Sequence, residues 1–262
     1  MTETVENNRE AVPQSKDVHF DIKQHPALNV GSGKIPESMV TQLNEYCDEL
    51  QADENSKTYQ SQLVGEIKKG KQLKIDVDEP RFWPFKKLLK DSTNIYVHHF
   101  YQAVNKQPSP YHLELNDVWT VHQYESDYNP LHDHGSEYWS ALAGFIHLKV
   151  PDQIKGKKIE QEDLHGAKGL MDGITALHWG TVSGRDIPTF KYPQCDFIVP
   201  EPGVFYIFPI WLDHLVYPFI GEGERRTIAW NINIVWDDDY IRNPIPSSVK
   251  LKTSVQERTT NV

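Results

Sequence analysis

The second half of the chain is a series of short apolar strands, and this series constrains the fold more than any other feature. Five segments after residue 110 are rich in β-branched and aromatic residues and are bounded by Gly, Pro or Asp: HLELNDVWTVHQY, YWSALAGFIHLKV, CDFIVPEPGVFYIFP, HLVYPF and RRTIAWNINIVW. They are not separated by helical patterns. Strands at this density predict a β-sandwich or barrel over about residues 111–236.

The first half of the chain has helical periodicity instead. Apolar side chains recur at spacings of three and four in residues 34–53, and a second helical stretch runs over about residues 79–104. The apolar residues are Met39, Leu43, Tyr46, Cys47 and Leu50 in the first stretch, and Phe82, Phe85, Leu88, Leu89 and Ile95 in the second. Residues 54–79 are polar, which predicts an exposed connection or a lid over a site.

Together these patterns predict an α+β chain that is mainly β, with N-terminal helices packed outside the β core. We expect one domain over residues 18–240, with its helical part at about 34–105 and its β core at about 111–236. Residues 1–17 are polar and lack a periodic apolar pattern, which predicts a disordered tail, and residues 241–262 are expected to form a polar C-terminal tail.

Composition limits the class of protein. The chain of 262 residues carries 27 basic and 37 acidic side chains, a net charge of −10, so it lacks the basic surface that nucleic-acid binding usually needs. It has no apolar run of membrane-spanning length, and its first residues do not resemble a secretory signal. Two cysteines, Cys47 and Cys195, fit a reducing compartment, so we expect a cytoplasmic protein. Nothing in the composition indicates an oligomeric state.

Three of the 12 histidines have a spacing that suits a metal ion. His132 and His134 are two residues apart, so on an extended segment both imidazoles project to the same side, and Asp133 projects to the other. His214 follows a turn and a buried strand, and a third imidazole would complete a facial set on a divalent transition metal with open positions. Taken singly, each motif also fits a polar loop or a core histidine.

The last strand, RRTIAWNIN, has one polar and one apolar face. Alternation places Arg225, Thr227, Ala229, Asn231 and Asn233 on one face, and Arg226, Ile228, Trp230 and Ile232 on the other. Arg225 in a polar cavity could hold a carboxylate bidentately, with the Thr227 hydroxyl alongside. A shift of one residue in register would place Arg226 there instead, and an arginine at a strand end also fits an ordinary surface position.

The spaced set of motifs resembles the 2-oxoglutarate and Fe(II)-dependent oxygenase superfamily. The set is H-x-H, then FP-x-W-L-x-H, then R-x-T in a strand ending in Asn, and it covers roughly residues 115–235. More narrowly it resembles the prolyl-hydroxylase-like branch, in which N-x-x-H-x-H precedes a strand with a small residue, Gly and an aromatic residue. Here these are residues 129–134, followed by Ala143, Gly144 and Phe145.

The resemblance implies a double-stranded β-helix, or jelly roll, with Fe(II) at the mouth of a pocket. It implies that 2-oxoglutarate chelates the iron and that a dioxygenase reaction with O₂ hydroxylates an unidentified protein residue or small molecule, releasing succinate and CO₂. His132 matches the first iron ligand and His214 the distal one. Arg225 matches the partner of the far carboxylate of 2-oxoglutarate, with Thr227 as the adjacent hydroxyl, and Tyr124 is a further candidate contact.

One position departs from the pattern of the superfamily. The usual second ligand is a carboxylate, and this sequence has His134 there. Three interpretations are open: His134 is the ligand, water or another anion fills the position, or Asp133 or Glu137 bends in from a distorted loop. Alternation disfavours Asp133 and distance from His132 disfavours Glu137, so we prefer His134.

Two other functions fit the sequence. One is a cupin-type metal enzyme, although His214 follows Gly203 at a longer spacing than the cupin motif has. The other is a non-catalytic jelly-roll protein that binds or has a structural role, because the fold does not decide the function.

Overall fold

The computed structural model describes residues 28–135, 140–158, 171–180 and 194–237. Both predicted tails lie outside the described residues, and the limits of the predicted domain therefore stay a prediction. Among the described residues, no helix is long and apolar enough to cross a membrane.

Ten strands form the β core in the described part of the chain. In chain order they are β1 (Gly31–Lys34), β2 (Lys71–Lys74), β3 (Tyr111–Gln123), β4 (Asn129–His132), β5 (Ala141–Lys149), β6 (Thr175–His178), β7 (Cys195–Ile198), β8 (Val204–Pro209), β9 (Asp213–Val216) and β10 (Arg225–Trp236). One sheet has six strands in the order β1-β8-β5-β10-β3-β2, and the other has four in the order β4-β9-β6-β7. The paired strands are antiparallel throughout both sheets. This is the jelly roll that the resemblance implied, and the α+β, mainly β class is confirmed.

Two α-helices lie in the described part of the first half of the chain, as predicted. Helix α1 (Glu37–Ala52) begins directly after Pro36, and helix α2 (Trp83–Ala103) follows a 3₁₀ turn at Pro80–Phe82. The buried residues of α2 recur every four positions: Phe85, Leu89, Thr93 and Val97. Ile95 was expected in this stripe and is 70% exposed, because it lies two residues from Thr93 and so faces the opposite side of the helix.

The six-stranded sheet has an apolar face and a polar face, and strand β10 shows both. Ile228, Trp230 and Ile232 are fully buried in the core that the sheet shares with the two helices. Phe85 of α2 packs edge-on against Trp230, with ring centroids 5.6 Å apart. The opposite face of β10 turns towards a cavity, so the predicted alternation along this strand is confirmed.

Arg226 lies on the helix side of β10 and attaches helix α1 to the sheet. Its guanidinium donates two hydrogen bonds to Glu224, at 2.8 and 2.9 Å, and one to Asp48 of α1, at 2.6 Å. The Arg226 side chain is completely buried. His122 Nδ1 also donates to Glu224, at 2.6 Å. Burial alone would raise the pKa of Glu224, but the hydrogen bonds from His122 and Arg226 lower it to about 2.

This network predicts an acid-dependent stability. The pKa of Glu224 is about 2 in the folded state and near 4.5 when unpaired, so its contribution is full above about pH 4.5 and is lost as the pH falls through about 2. We expect Glu224→Gln to lower the free energy of unfolding by about 3 kcal/mol at pH 7. Urea denaturation of both proteins between pH 7 and pH 2.5 measures this, and the difference should shrink towards acid pH. A difference that is independent of pH would contradict the assignment.

Candidate metal centre and co-substrate cavity

The three predicted histidines meet at one end of a cavity between the sheets. His132 at the end of β4 lies directly opposite His214 of β9 in the antiparallel pair, so both side chains are on the same face. His134 follows two residues later, and its backbone N–H donates to Ile210 O at 3.1 Å. Ring centroids are 4.2 Å apart for His132 and His214, 4.9 Å for His134 and His214, and 5.4 Å for His132 and His134.

The hydrogen bonds of the three rings leave one nitrogen of each available. Each Nδ1 is bonded to an acceptor oxygen: Pro130 O at 2.7 Å for His132, Asn231 Oδ1 at 2.6 Å for His134, and Leu212 O at 2.9 Å for His214. Since these oxygens can only accept, Nδ1 carries the proton and Nε2 keeps its lone pair. The candidate ligand atoms of the three residues lie within 4.8 Å of one another.

Burial keeps these imidazoles neutral, which metal binding requires. It lowers the pKa of His132 below its ordinary value, that of His134 to about 4, and that of His214 well below its ordinary value. Neighbouring rings add to the effect of burial at two positions: His132 lowers the pKa of His134, and His134 and His132 lower that of His214.

Of the residues considered for the second ligand position, His134 is the one that lies in the histidine group. Asp133 lies between the two histidines with an exposed side chain and is not part of the ligand group found among the described residues. Glu137, the other carboxylate considered, lies outside the described residues.

A cavity of about 360 Å³ extends from the histidines towards Arg225 at the start of β10. The polar face of β10 lines it through Arg225, Thr227, Ala229 and Asn231, and the neighbouring strand β3 contributes Asp117, Trp119, Val121 and Gln123. Residues 59 and 62–64, from the segment between the two helices, form another part of the wall. The prediction of an exposed connection is wrong for part of this segment, since Ile67, Leu73 and Ile75 are buried.

Arg225 is a buried cation whose hydrogen-bond partners are all neutral. Only 2% of the residue is exposed. Its Nη1 donates to Gln123 Oε1 at 2.6 Å, and its Nη2 donates to Thr175 Oγ1 at 2.9 Å and to His147 Nε2 at 3.2 Å. Its Nε has no hydrogen-bond partner among the described residues. Burial without a carboxylate lowers the pKa of Arg225 to about 9, so an anion entering the cavity would be strongly attracted.

The structure places the remaining predicted residues as follows. Thr227 is 5% exposed and lies on the cavity face of β10, two residues from Arg225. Arg226 points to the helix side and does not reach the cavity. Tyr124 is not brought to the cavity: it follows the end of β3, and its hydroxyl accepts a hydrogen bond from Gln51 of α1 at 3.1 Å.

Sequence reasoning missed several residues that complete the site. Gln123 lies opposite Arg225 in the β3–β10 pair, and alternation along β3 places Val121 and Trp119 on the same face. Only this alternation could have been read from the sequence. Thr175 and His147 become partners of Arg225 only through the pairing of distant strands. Tyr59 reaches the wall from the segment between the helices, and no local pattern indicates it.

Comparison with known proteins gives one match in sequence and several in structure. Residues 117–231 match the family described as "Putative 2OG-Fe(II) oxygenase". A search of curated proteins finds no match for this chain.

Solved structures with a similar fold share little sequence with the chain. A prolyl-4-hydroxylase from Pseudomonas putida has 10% identity and a TM-score of 0.49, over 78% of this chain and 92% of that one. HygX from Streptomyces hygroscopicus, with nickel and 2-oxoglutarate bound, has 12% identity and a TM-score of 0.48, over 83% of this chain and 90% of that one. A Trichoplax adhaerens prolyl hydroxylase, in complex with a hypoxia-inducible-factor peptide, has 15% identity and a TM-score of 0.46, over 82% and 85%.

The segment that matches the family contains all three histidines together with Arg225 and Thr227. The jelly-roll core of this chain, residues 117–231, is therefore similar in sequence to the family of 2-oxoglutarate and Fe(II)-dependent oxygenases.

Proposed function

We propose that this protein is a dioxygenase that uses Fe(II), 2-oxoglutarate and O₂ to hydroxylate a substrate, with release of succinate and CO₂. In this proposal His132, His134 and His214 hold the iron, and Arg225 with Thr227 holds the far carboxylate of 2-oxoglutarate. The observation that carries it is one cavity that joins a neutral three-histidine group to a buried arginine without a carboxylate partner.

The chemistry of the donors supports iron. Three neutral imidazoles, each with its proton engaged on Nδ1, offer three nitrogen lone pairs on one side of an ion and leave the other side open. Imidazole is a suitable ligand for Fe(II), and the open side is what a co-substrate and O₂ require.

The chemistry around Arg225 supports a dicarboxylate. A fully buried guanidinium costs stability unless an anion compensates it, and no described residue supplies that anion. The unused Nε–H and the Thr227 hydroxyl are donors for a carboxylate. Neither a cupin-type site nor a purely structural metal site would explain this buried cation.

The protein has a positioning role in the proposed reaction. When bound, Fe(II) with 2-oxoglutarate supplies the activation of O₂ that hydroxylation needs. The three histidines fix the open side of the metal, and Pro130, Asn231 and Leu212 fix the orientation of the rings. Apolar side chains such as Phe208 and Trp119 form part of the cavity wall between the metal group and Arg225 and leave less of that wall for water to bind.

We also propose a cytoplasmic location and a single domain over residues 18–240. The Cys47 thiol is buried in the core and reduced, and burial raises its pKa to about 12. An unreactive thiol of this kind fits a reducing compartment.

Reconstitution with iron tests the proposed function. We expect protein loaded anaerobically with Fe(II) to hold one iron per chain and, once O₂ is admitted, to convert 2-oxoglutarate slowly to succinate without its prime substrate. Removal of the metal by a chelator should abolish succinate formation, and Fe(II) but not Zn(II) should restore it. Metal binding without consumption of 2-oxoglutarate would favour a cupin-type enzyme, and failure to bind metal would favour a binding or structural protein.

A further inference from the structure

The two ends of the cavity carry opposite charge. Arg225 and Gln123 are register partners at one end, and Asn231 and Asp117 are register partners at the other. Gln123 and Asp117 are six positions apart on strand β3, which corresponds to about 20 Å. Among the described residues that line the cavity, Arg225 is the only arginine and there is no lysine, so nothing on the wall neutralises the Asp117 end.

Asp117 is held in place but has no cationic partner. The Tyr59 hydroxyl donates to Asp117 Oδ1 at 2.8 Å, and Asp117 forms no ion pair with any described residue. Lys74 lies near, but its Nζ is over the Tyr59 ring, 5.7 Å from the ring centroid. Asp117 is partly buried, so its carboxylate has lost part of its hydration without gaining a counter-charge.

An aromatic wall connects Asp117 to the metal group. Tyr59 stacks on Trp119, with ring centroids 5.4 Å apart, and Trp119 in turn lies 5.8 Å from the ring of His134. His134 is hydrogen-bonded to Asn231, the register partner of Asp117. A molecule that contacts Asp117 therefore extends along apolar rings towards the open side of the proposed metal.

We propose that Asp117 binds a protonated amino group of the prime substrate, with the apolar part of that substrate packed on Tyr59 and Trp119. The ammonium pairs with the Asp117 carboxylate at the end of the cavity opposite Arg225. This inference rests on the proposed function, because it names the class of substrate for the same site. It makes Asp117 a residue that determines specificity and gives it no part in the chemical step.

Three probes of equal length and different charge test this inference: n-pentylammonium, 1-pentanol and pentanoate. Their affinities are measured by calorimetry on protein loaded with Zn(II) and saturated with 2-oxoglutarate, so that Arg225 is occupied and no turnover takes place. We expect pentylammonium to bind at least about tenfold more tightly than the other two probes. Equal affinity for pentylammonium and pentanol, or no binding of pentylammonium, would overturn the inference.

Two variants test whether Asp117 is the residue that gives the preference for pentylammonium. Asp117→Asn keeps the shape of the side chain and the acceptor for Tyr59 but removes the charge. It should therefore lower the affinity for pentylammonium about 10- to 100-fold and leave the affinity for pentanol unchanged. Glu114→Gln removes a negative charge from the same strand outside the cavity and should change neither affinity. An equal loss in both variants would overturn the inference, because it would mean a general effect of charge. Failure of 2-oxoglutarate to bind counts against the proposed function, whereas weak pentylammonium binding in a sample that binds 2-oxoglutarate counts against this inference alone.

Discussion

Replacing His214 with alanine is expected to abolish tight metal binding. His214 is only 6% exposed, and it supplies one of three converging nitrogen atoms. Loss of a partner that merely orients a ligand costs about 10- to 100-fold in metal affinity, so loss of the ligand itself should cost at least about 100-fold. Anaerobic titration with Fe(II), and the metal content after dialysis, measure this. Succinate formation should fall with the metal content.

Two further variants show whether the loss is specific. Asn231→Leu removes the oxygen that accepts the Nδ1 proton of His134, so it should lower the metal affinity by the smaller factor of about 10- to 100-fold. His112→Ala removes an exposed histidine on strand β3 and should leave metal binding unchanged. Retention of metal by His214→Ala, or an equal loss in His112→Ala, would contradict the three-histidine site.

The predictable part of the site is the part that depends on local alternation. Side chains two residues apart on a strand share a face, so the cavity face of β10 and the pair His132 and His134 could be predicted from spacing alone. The approach of His214 to His132 depends on the pairing of β4 with β9, which no local pattern encodes. The residues alone made His214 only a candidate third ligand, and the resemblance to a family matched it to the distal position.

The position of each residue along its strand also explains which predictions were wrong. Gln123 points into the cavity and Tyr124, one residue later, follows the end of β3 and reaches Gln51 instead. In the same way Arg225 and Arg226 differ by one position and lie on opposite faces of the six-stranded sheet. The segment between the helices looked exposed because it is polar, yet Tyr59 and Ile67 are buried against β3, since a cavity between two sheets needs a cover.

The two neighbouring arginines predict opposite outcomes for the same substitution. In Arg225→Met a buried cation without a carboxylate partner is lost, so the unliganded protein should be as stable as wild type or more stable. In Arg226→Met the partner of Glu224 and Asp48 is lost, and both carboxylates remain, so the free energy of unfolding should fall by about 3–5 kcal/mol. Urea denaturation without ligands measures both.

For the affinity for 2-oxoglutarate we expect the opposite order, with Arg225→Met the more damaging of the two substitutions. Without Arg225 the far carboxylate of the co-substrate loses the only cationic partner that the described cavity residues offer, and a loss of about 3–5 kcal/mol corresponds to at least about 100-fold in affinity. Calorimetry with the metal-loaded protein measures the affinity, and the rise in melting temperature that 2-oxoglutarate gives the wild type should vanish in Arg225→Met but persist in folded Arg226→Met. Both variants should keep the metal, because neither arginine contacts the three histidines. Loss of metal in Arg225→Met, or undiminished affinity for 2-oxoglutarate, would show that this buried cation serves something other than the co-substrate.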